Sequence, residues 1–373
     1  MDRRITLIIG GLRGGGAQRV CVTLANALVK RGYAVDLVVL GLEDAAMLAS
    51  LSDQVTLIDL GVDHARKSFF ALAEYIKRAN PKTVLSFNRE ISIILGFLRL
   101  LYSFDFRLIS RNITYLSLSE SAKKGIWFGV IVNFMIRKFY GFSDLFIAQS
   151  KGMAEDLESY LGVNKKKVLV INNPISENIE YFLKNNDITN LNKEDYLLCI
   201  GRLDEVKAFH YAIEAFSNLA EKYPLLKLKI VGKGSLEGEL RKLATARGVA
   251  ERVLFEGYQD NIISYYLHAR ITVLTSLYEG FPNALIESIA LGTPVVAFDC
   301  PSGPSEIIKN GVNGYMVRYR DLNHLVECLE KALNKEWDIT AVRSSADRFK
   351  STLITQEYID VINSHSGRLK NNI

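Results

Sequence analysis

Ile5-Thr-Leu-Ile-Ile-Gly-Gly-Leu-Arg-Gly-Gly-Gly-Ala-Gln-Arg-Val20 and the residues up to Leu40 decide the fold. Ile5–Ile9 is a short β-rich run that ends in glycines. A helical repeat follows at once, with Val20, Leu24, Ala27 and Leu28 at i, i+4, i+7 and i+8. Gly32 stops the helix, and Ala34–Leu40 reads as the next strand. A strand, a glycine turn, a helix and a second strand make a β-α-β unit, and that unit needs a parallel sheet.

The alternation continues outward. Val55–Leu60, Thr83–Phe87, Arg107–Ile109, Leu145–Ala148 and Lys167–Ile171 read as strands. Helices are expected around Ser68–Arg78, Ser92–Leu101, Ile126–Tyr140 and Met153–Leu161. The rhythm pauses in an Asn-rich, charged stretch containing Pro174, then restarts. Tyr196–Ile200, Leu226–Val231, Val253–Gly257, Ile271–Leu274 and Pro294–Phe298 are strands. His210–Lys222, Leu236–Arg247 and Asn283–Leu291 are helices. The expected class is α/β, with a Rossmann-like doubly wound domain over 1–174, a linker over 175–195, a second such domain over 196–350, and a C-terminal helix and tail over 351–373. Two such domains facing each other make a cleft, with ligands at the carboxyl ends of the strands.

Composition agrees with 373 residues in two domains: 49% are hydrophobic and 23% charged. Cys21, Cys199, Cys300 and Cys328 are far apart without CxxC spacing, so they read as small buried hydrophobes in a reducing cytosol. No secretory signal is visible, and no apolar stretch reaches the roughly 20 residues of a spanning helix. The expected location is cytoplasmic. The net charge of +5 is uneven: residues 1–174 carry 23 Lys+Arg against 15 Asp+Glu, a balance of +8. A basic first half suits an anionic surface or a phosphate-bearing substrate.

Four segments that follow strands could carry chemistry. Gly201-Arg-Leu-Asp-Glu-Val-Lys207 sets a guanidinium and an ammonium at a strand end, a receptor for a diphosphate. Glu279-Gly-Phe-Pro-Asn-Ala-Leu-Ile-Glu287 leads into a helix. Pro282 suits its first turn, and the backbone N–H groups of Asn283, Ala284 and Leu285 make an anion site. The two carboxylates are acceptors for sugar or ribose hydroxyls. Gly232-Lys-Gly234 lets a ligand approach the backbone. Gly14-Gly15-Gly16 is loosely like a phosphate loop but matches neither the Walker pattern nor GxGxxG.

In order and spacing these pieces, with Phe255-Glu256-Gly257, Asp299–Glu306 and Asn310–Gly314, resemble the retaining glycosyltransferases of the GT-B fold, of the bacterial type called family 4. The resemblance spans nearly the whole chain. It implies a hexosyltransferase that takes a hexose or N-acetylhexosamine from a nucleotide-diphosphate sugar, UDP-linked. The acceptor would be a glycan or an undecaprenyl-diphosphate-linked glycan, and the setting surface-polysaccharide synthesis such as lipopolysaccharide. It assigns Arg202 and Lys207 to the diphosphate, Glu279 to the transferred sugar and Glu287 to the ribose. Gly15, Gly16, Gly232, Gly234, Phe281, Asn283, Ala284 and Leu285 would line the donor, and Tyr258 would lie near the base. There is no DxD triplet, so no metal and no other cofactor are expected, and no nucleic-acid partner.

In one place the sequence departs from the family. Many relatives carry a first-domain histidine near the reacting centre. Here Leu108-Ile-Ser-Arg-Asn112 offers Arg111 and Asn112 instead, expected on the acceptor side, with Arg111 on an acceptor phosphate. Lys123–Tyr140 has an apolar, aromatic centre with basic ends. It reads either as a helix lying in a membrane interface or as a core helix with snorkelling ends. Two rivals remain, a UDP-sugar epimerase of the same architecture and a non-enzymatic nucleotide-binding Rossmann protein. For a dinucleotide reading, Asp36 is the nearest acidic residue.

Overall fold

The computed structural model describes residues 3–121, 139–188 and 191–364. The expected helix around Ile126–Tyr140 therefore lies, apart from its last two residues, outside the described residues. The chain forms two compact units, Met1–Ser176 with Ser351–Ile373, and Glu177–Lys350.

The first unit is built on β1 (Arg4–Ile9), α1 (Gly16–Lys30), β2 (Ala34–Val39), β3 (Thr56–Asp59), α2 (Phe69–Ala79), β4 (Thr83–Ser86), α3 (Arg89–Tyr102), β5 (Arg107–Arg111), α4 (Leu116–Ser121), β6 (Leu145–Ala148), α5 (Lys151–Leu161) and β7 (Val168–Val170). Its seven strands lie in the order β3-β2-β1-β4-β5-β6-β7, with every pairing parallel. Ile5–Ile9 is buried on both faces, which is why the run is continuously apolar rather than alternating. Gly32, at φ +80°, turns the chain from α1 into β2.

The second unit begins with α6 (Glu177–Asn185). It continues through β8 (Tyr196–Ile200), α7 (Phe209–Leu219), β9 (Lys227–Val231), α8 (Glu237–Ala246), β10 (Val253–Gly257), α9 (Ile263–His268), β11 (Ile271–Leu274), α10 (Asn283–Ala290), β12 (Val295–Phe298), α11 (Pro304–Ile307), β13 (Gly314–Val317), α12 (Leu322–Leu333) and α13 (Ile339–Ser344). Its sheet runs β10-β9-β8-β11-β12-β13, again parallel. Strand order reverses between β8 and β11, so their carboxyl ends flank the point where doubly wound sheets bind ligands.

Two boundary expectations change. The stretch 175–195 is not a plain linker: α6 occupies Glu177–Asn185, and Ile179 anchors it at 1% exposure. The C-terminal helix, α14 (Ser351–Asn363), is part of the first unit's core through Ile354, Tyr358, Ile359 and Val361. Basic side chains fasten it there. Arg31 reaches the Thr352 carbonyl at 3.1 Å, and Arg107 reaches the Val361 carbonyl at 2.7 Å. The four cysteines are free and buried.

Candidate active site

The carboxyl end of β8 delivers Gly201 at φ +155°, and Gly232 follows β9 at φ +141°. These strand ends touch through backbone. A Cβ on Gly232 would fall 1.8 Å from the Gly201 carbonyl oxygen, and one on Gly234 would fall 2.2 Å from that of Leu203. Glycine is required at both positions because another loop already fills the space of a side chain. The crossing is pinned by Gly201 N–H to Val231 at 3.0 Å, Leu203 N–H to Lys233 at 3.0 Å and Gly232 N–H to Gly257 at 2.7 Å.

On this base sit the two cations, in different settings. The Arg202 side chain is 78% exposed and pairs with Asp204 at 3.0 Å. Lys207 is enclosed. Its stem lies over Gly201, whose Cβ would come 3.1 Å from Cε. Its Nζ donates to Glu279 Oε1 at 2.6 Å, with the two side chains 18% and 13% exposed. Ser276 Oγ donates to the same oxygen at 2.6 Å. The other oxygen, Oε2, takes part in neither bond.

The Glu279 loop, which follows β11, is held on several sides. Leu277 donates its N–H to Val206 at 2.8 Å and accepts from Tyr319 Oη at 2.9 Å. Glu279 N–H donates to Pro301, and Ser302 Oγ donates to Gly280 at 2.9 Å. Thr275 Oγ1 ties the loop to the Lys207 carbonyl at 3.0 Å. Gly303, at φ +98°, passes so close that a Cβ would lie 2.5 Å from Pro282 Cδ. Burial pushes the nearby Cys300 thiol well above its ordinary range, and Glu279 adds to the shift while Lys207 opposes it. That thiol is therefore neutral and no nucleophile. Burial also raises the Tyr278 phenol, with Asp204 contributing, so it stays a donor at neutral pH.

At α10 the structure corrects one detail. Pro282 is the N-cap, directly before the helix that begins at Asn283 as expected. The Leu285 N–H is not open to an anion, because it bonds the Pro282 carbonyl at 3.0 Å. Asn283 and Ala284 occupy the first two helical positions. Glu287 is inside, 3% exposed, and accepts from Tyr266 Oη at 3.2 Å. Phe281 is 5% exposed and packs edge-on against Phe349 at 5.5 Å, so its side chain supports the loop from below. Tyr258, after β10, is 56% exposed. Among the described residues, no group of three or more His, Cys, Asp or Glu is placed to hold a metal ion.

In the first unit, Gly15 caps α1 and Gly16 begins it, after the loop that follows the carboxyl end of β1 at Ile9. Arg111 and Asn112, expected to face an acceptor, are turned inward at 1% and 2% exposure. Arg111 Nε donates to Tyr358 Oη at 2.8 Å, its Nη2 donates to Asn173 Oδ1 at 2.5 Å, and its guanidinium lies 5.3 Å from the Phe87 ring centre. It ties β5 to α14. Asn112 accepts from Gln149 at 3.1 Å through its carbonyl. Replacing Arg111 with methionine is expected to lower the melting free energy of the chain by about 1–3 kcal/mol while leaving UDP affinity unchanged, checked by thermal melts and calorimetry. Asp36 is committed as well. It accepts from Arg4 Nε at 3.0 Å and from Tyr75 Oη at 3.2 Å, so it is not available to a ribose.

Sequence reading missed Ser276, Asp204 and Tyr319. A signal existed for the first, a hydroxyl residue just past β11. For Tyr319 there was none, since it meets Leu277 from 42 residues away.

A parallel sheet whose switch point presents a Lys–Glu pair, a second cation and backbone-only glycines is suited to a phosphate-bearing ligand at its strand ends. The comparisons with known proteins give the family. The model described as Glycosyl transferases group 1 matches residues 177–351, and that described as Glycosyltransferase Family 4 matches residues 14–178. The chain belongs to the GT-B glycosyltransferases of the family 4 type, and it is a hexosyltransferase. It is 27% identical over 373 residues to an amylovoran biosynthesis glycosyltransferase of Erwinia amylovora, covering 97% of this chain and 100% of that one. It is 32% identical over 212 residues to an N-acetylgalactosamine-N,N'-diacetylbacillosaminyl-diphospho-undecaprenol 4-alpha-N-acetylgalactosaminyltransferase of Campylobacter jejuni, where the match spans little more than half of each protein, 56%. A solved structure of Anabaena HepE in complex with UDP-glucose superposes with a TM-score of 0.77 at 17% identity, covering 97% of this chain and 100% of that one, a likeness of fold.

Proposed function

We propose that this hexosyltransferase retains the anomeric configuration and moves a hexose or N-acetylhexosamine from a UDP-sugar to a glycan or an undecaprenyl-diphosphate-linked glycan during bacterial surface-polysaccharide synthesis. The observation that carries the reading is the enclosed Lys207–Glu279 pair, with Nζ at 2.6 Å from Oε1, between the ends of β8 and β11. Support for the donor comes from the UDP-glucose held by the HepE structure. Support for the acceptor class comes from the undecaprenol in the Campylobacter protein's name and the amylovoran in the Erwinia protein's.

The chemistry follows from charge. As the sugar C1–O bond to the diphosphate breaks, negative charge grows on the departing phosphate. Lys207 and the exposed Arg202 are the cations that meet it, and they gain most in the transition state. Glu279 Oε1 is occupied by Lys207 and Ser276, so Oε2 accepts a hydroxyl of the transferred sugar. Glu287, oriented by Tyr266, holds the ribose. The acceptor oxygen bonds C1 on the face the phosphate leaves, and its proton passes to that phosphate oxygen. This route needs no histidine and no metal, so EDTA is expected to leave the rate unchanged in a coupled UDP-release assay.

The binding half of the reading is tested by thermal shift. UDP at about 100 times its dissociation constant stabilises the folded state by about 2.7 kcal/mol. A rise in melting temperature with UDP or a UDP-sugar is expected, and no rise with any UDP-sugar overturns the reading. Retention is read separately, from the anomeric coupling of the product by NMR. On this reading the enzyme works at the cytoplasmic face of the cell membrane, where a polyprenyl-linked acceptor resides. No helix among the described residues is long and apolar enough to cross a membrane.

A further inference from the structure

We propose that Lys193, on the segment leading into β8, is a positioning residue for the donor: it staples α9 to α10 and so fixes the Tyr266–Glu287 contact that holds the ribose. The proposal rests on the reading above, in which Glu287 takes the ribose hydroxyls. Lys193 lies before the amino end of β8, whereas Arg202 and Lys207 follow its carboxyl end. It therefore acts through other residues. Its Nζ donates to the Leu267 carbonyl at 2.8 Å and to Thr293 Oγ1 at 2.5 Å. Thr293 Oγ1 in turn donates to the Tyr266 carbonyl at 2.5 Å.

The need for such a staple follows from the shortness of α9. Ile263–His268 has six residues, too few to hold a helix by itself, and its last turn leaves carbonyls without partners inside it. The carbonyls of its last four residues each accept from a group outside the helix. Tyr265 accepts from Tyr196 Oη at 2.6 Å, Tyr266 from Thr293, Leu267 from Lys193, and His268 from the Glu194 N–H at 2.8 Å. Thr293 also reaches α10. Its N–H donates to the Ser288 carbonyl at 2.9 Å, and Ser288 Oγ donates to the Thr293 carbonyl at 2.9 Å. Ser288 is the chain neighbour of Glu287. The two helices are thus joined twice, through Thr293 and through Tyr266 Oη donating to Glu287 at 3.2 Å. Tyr266, Ser288 and Thr293 are all 0% exposed, so water does not replace a lost bond. Lys193 is a costly residue to place here. Burial lowers its pKa to about 8, with no carboxylate partner among the described residues to oppose the shift. Its use is geometric. A long stem carrying several N–H donors reaches the Leu267 carbonyl and Thr293 together.

The experiment is calorimetric titration of UDP and of pyrophosphate into the full chain and into Lys193→Met, Tyr266→Phe and the double variant. Each single variant is expected to weaken UDP binding roughly fivefold. The double variant is expected to weaken it little further than either, against roughly 25-fold if the two residues acted independently. Pyrophosphate affinity should be the same in Lys193→Met as in the wild type, because the lysine acts on the nucleoside end of the donor. Lys193→Arg, which keeps several donors on a long stem, should restore UDP binding. Thr293→Val removes the same link without touching the lysine, and it carries the same cycle if Lys193→Met melts below the temperature of the titration. Wild-type UDP affinity in Lys193→Met, additive losses in the double variant, or equal losses for UDP and pyrophosphate overturns the proposal and leaves the donor site standing. Absence of UDP binding to the wild type instead overturns the donor reading, and the proposal with it.

Discussion

Lys207→Ala is expected to lower kcat/KM for the donor by about 10³-fold, equivalent to about 4 kcal/mol of lost transition-state stabilisation. Two effects combine. On the proposed mechanism, the variant removes the enclosed ammonium that meets charge on the departing phosphate. It also removes the donor that fixes Glu279 Oε1 at 2.6 Å, leaving that carboxylate with Ser276 alone. A partly buried carboxylate stripped of its cation is costly to keep charged, so it either reorients or takes up a proton. In both cases it positions the sugar hydroxyl less well. The split between kcat and KM is informative. If the lysine acts mainly in the transition state, kcat falls with kcat/KM and the donor KM changes little. Arg202→Ala is expected to show the milder version, because its 78% exposed side chain holds no second catalytic group in place. Initial-rate measurement of UDP release, with a melt to confirm folding, checks both.

Gly232→Ala is expected to destabilise the chain by about 4 kcal/mol or more, a loss large for one methyl group. The methyl would fall 1.8 Å from the Gly201 carbonyl oxygen, at a backbone φ of +141°. The two atoms nearest the methyl, the Gly201 carbonyl oxygen and carbon, are backbone, so relief requires moving the ends of β8 and β9 apart. That breaks the bonds at Gly201 and Gly232 and displaces the segment carrying Arg202 and Lys207. The control is Gly238→Ala, in α8, where a Cβ would meet nothing within 4 Å. There alanine should stabilise by about 0.5–1 kcal/mol through helix propensity. Chemical denaturation of the two variants against wild type reads both signs in one experiment.

These residues also show what was legible in the sequence. The sheets were, because buried parallel strands are continuous apolar runs, and Ile5–Ile9, Tyr196–Ile200 and Ile271–Leu274 each stand out between glycines and helices. The helix Glu177–Asn185 was not. Only Ile179 of its nine residues is buried, so its polar sequence resembles a loop. The positions of Arg202, Lys207 and Glu279 after strands, and of Glu287 inside the helix that follows, were legible. Their pairing was not: Lys207 and Glu279 are 72 residues apart, and only the adjacency of β8 and β11 brings them together. Arg111 shows the same limit from the other side. An arginine just past the expected strand Arg107–Ile109 reads as a ligand for an acceptor phosphate, but Tyr358, 247 residues later in the chain, turns it into a buried tie.

The central claim is that the ends of β8 and β11 in the second unit form the receptor for a nucleoside diphosphate. Calorimetric titration of UDP into the wild type and into an Arg202→Ala/Lys207→Ala variant tests it most directly. One-to-one binding to the wild type and a loss of roughly 100-fold or more in the variant, about 3 kcal/mol, is the expected result. Equal affinity for both proteins, or no binding of UDP to the wild type, contradicts it.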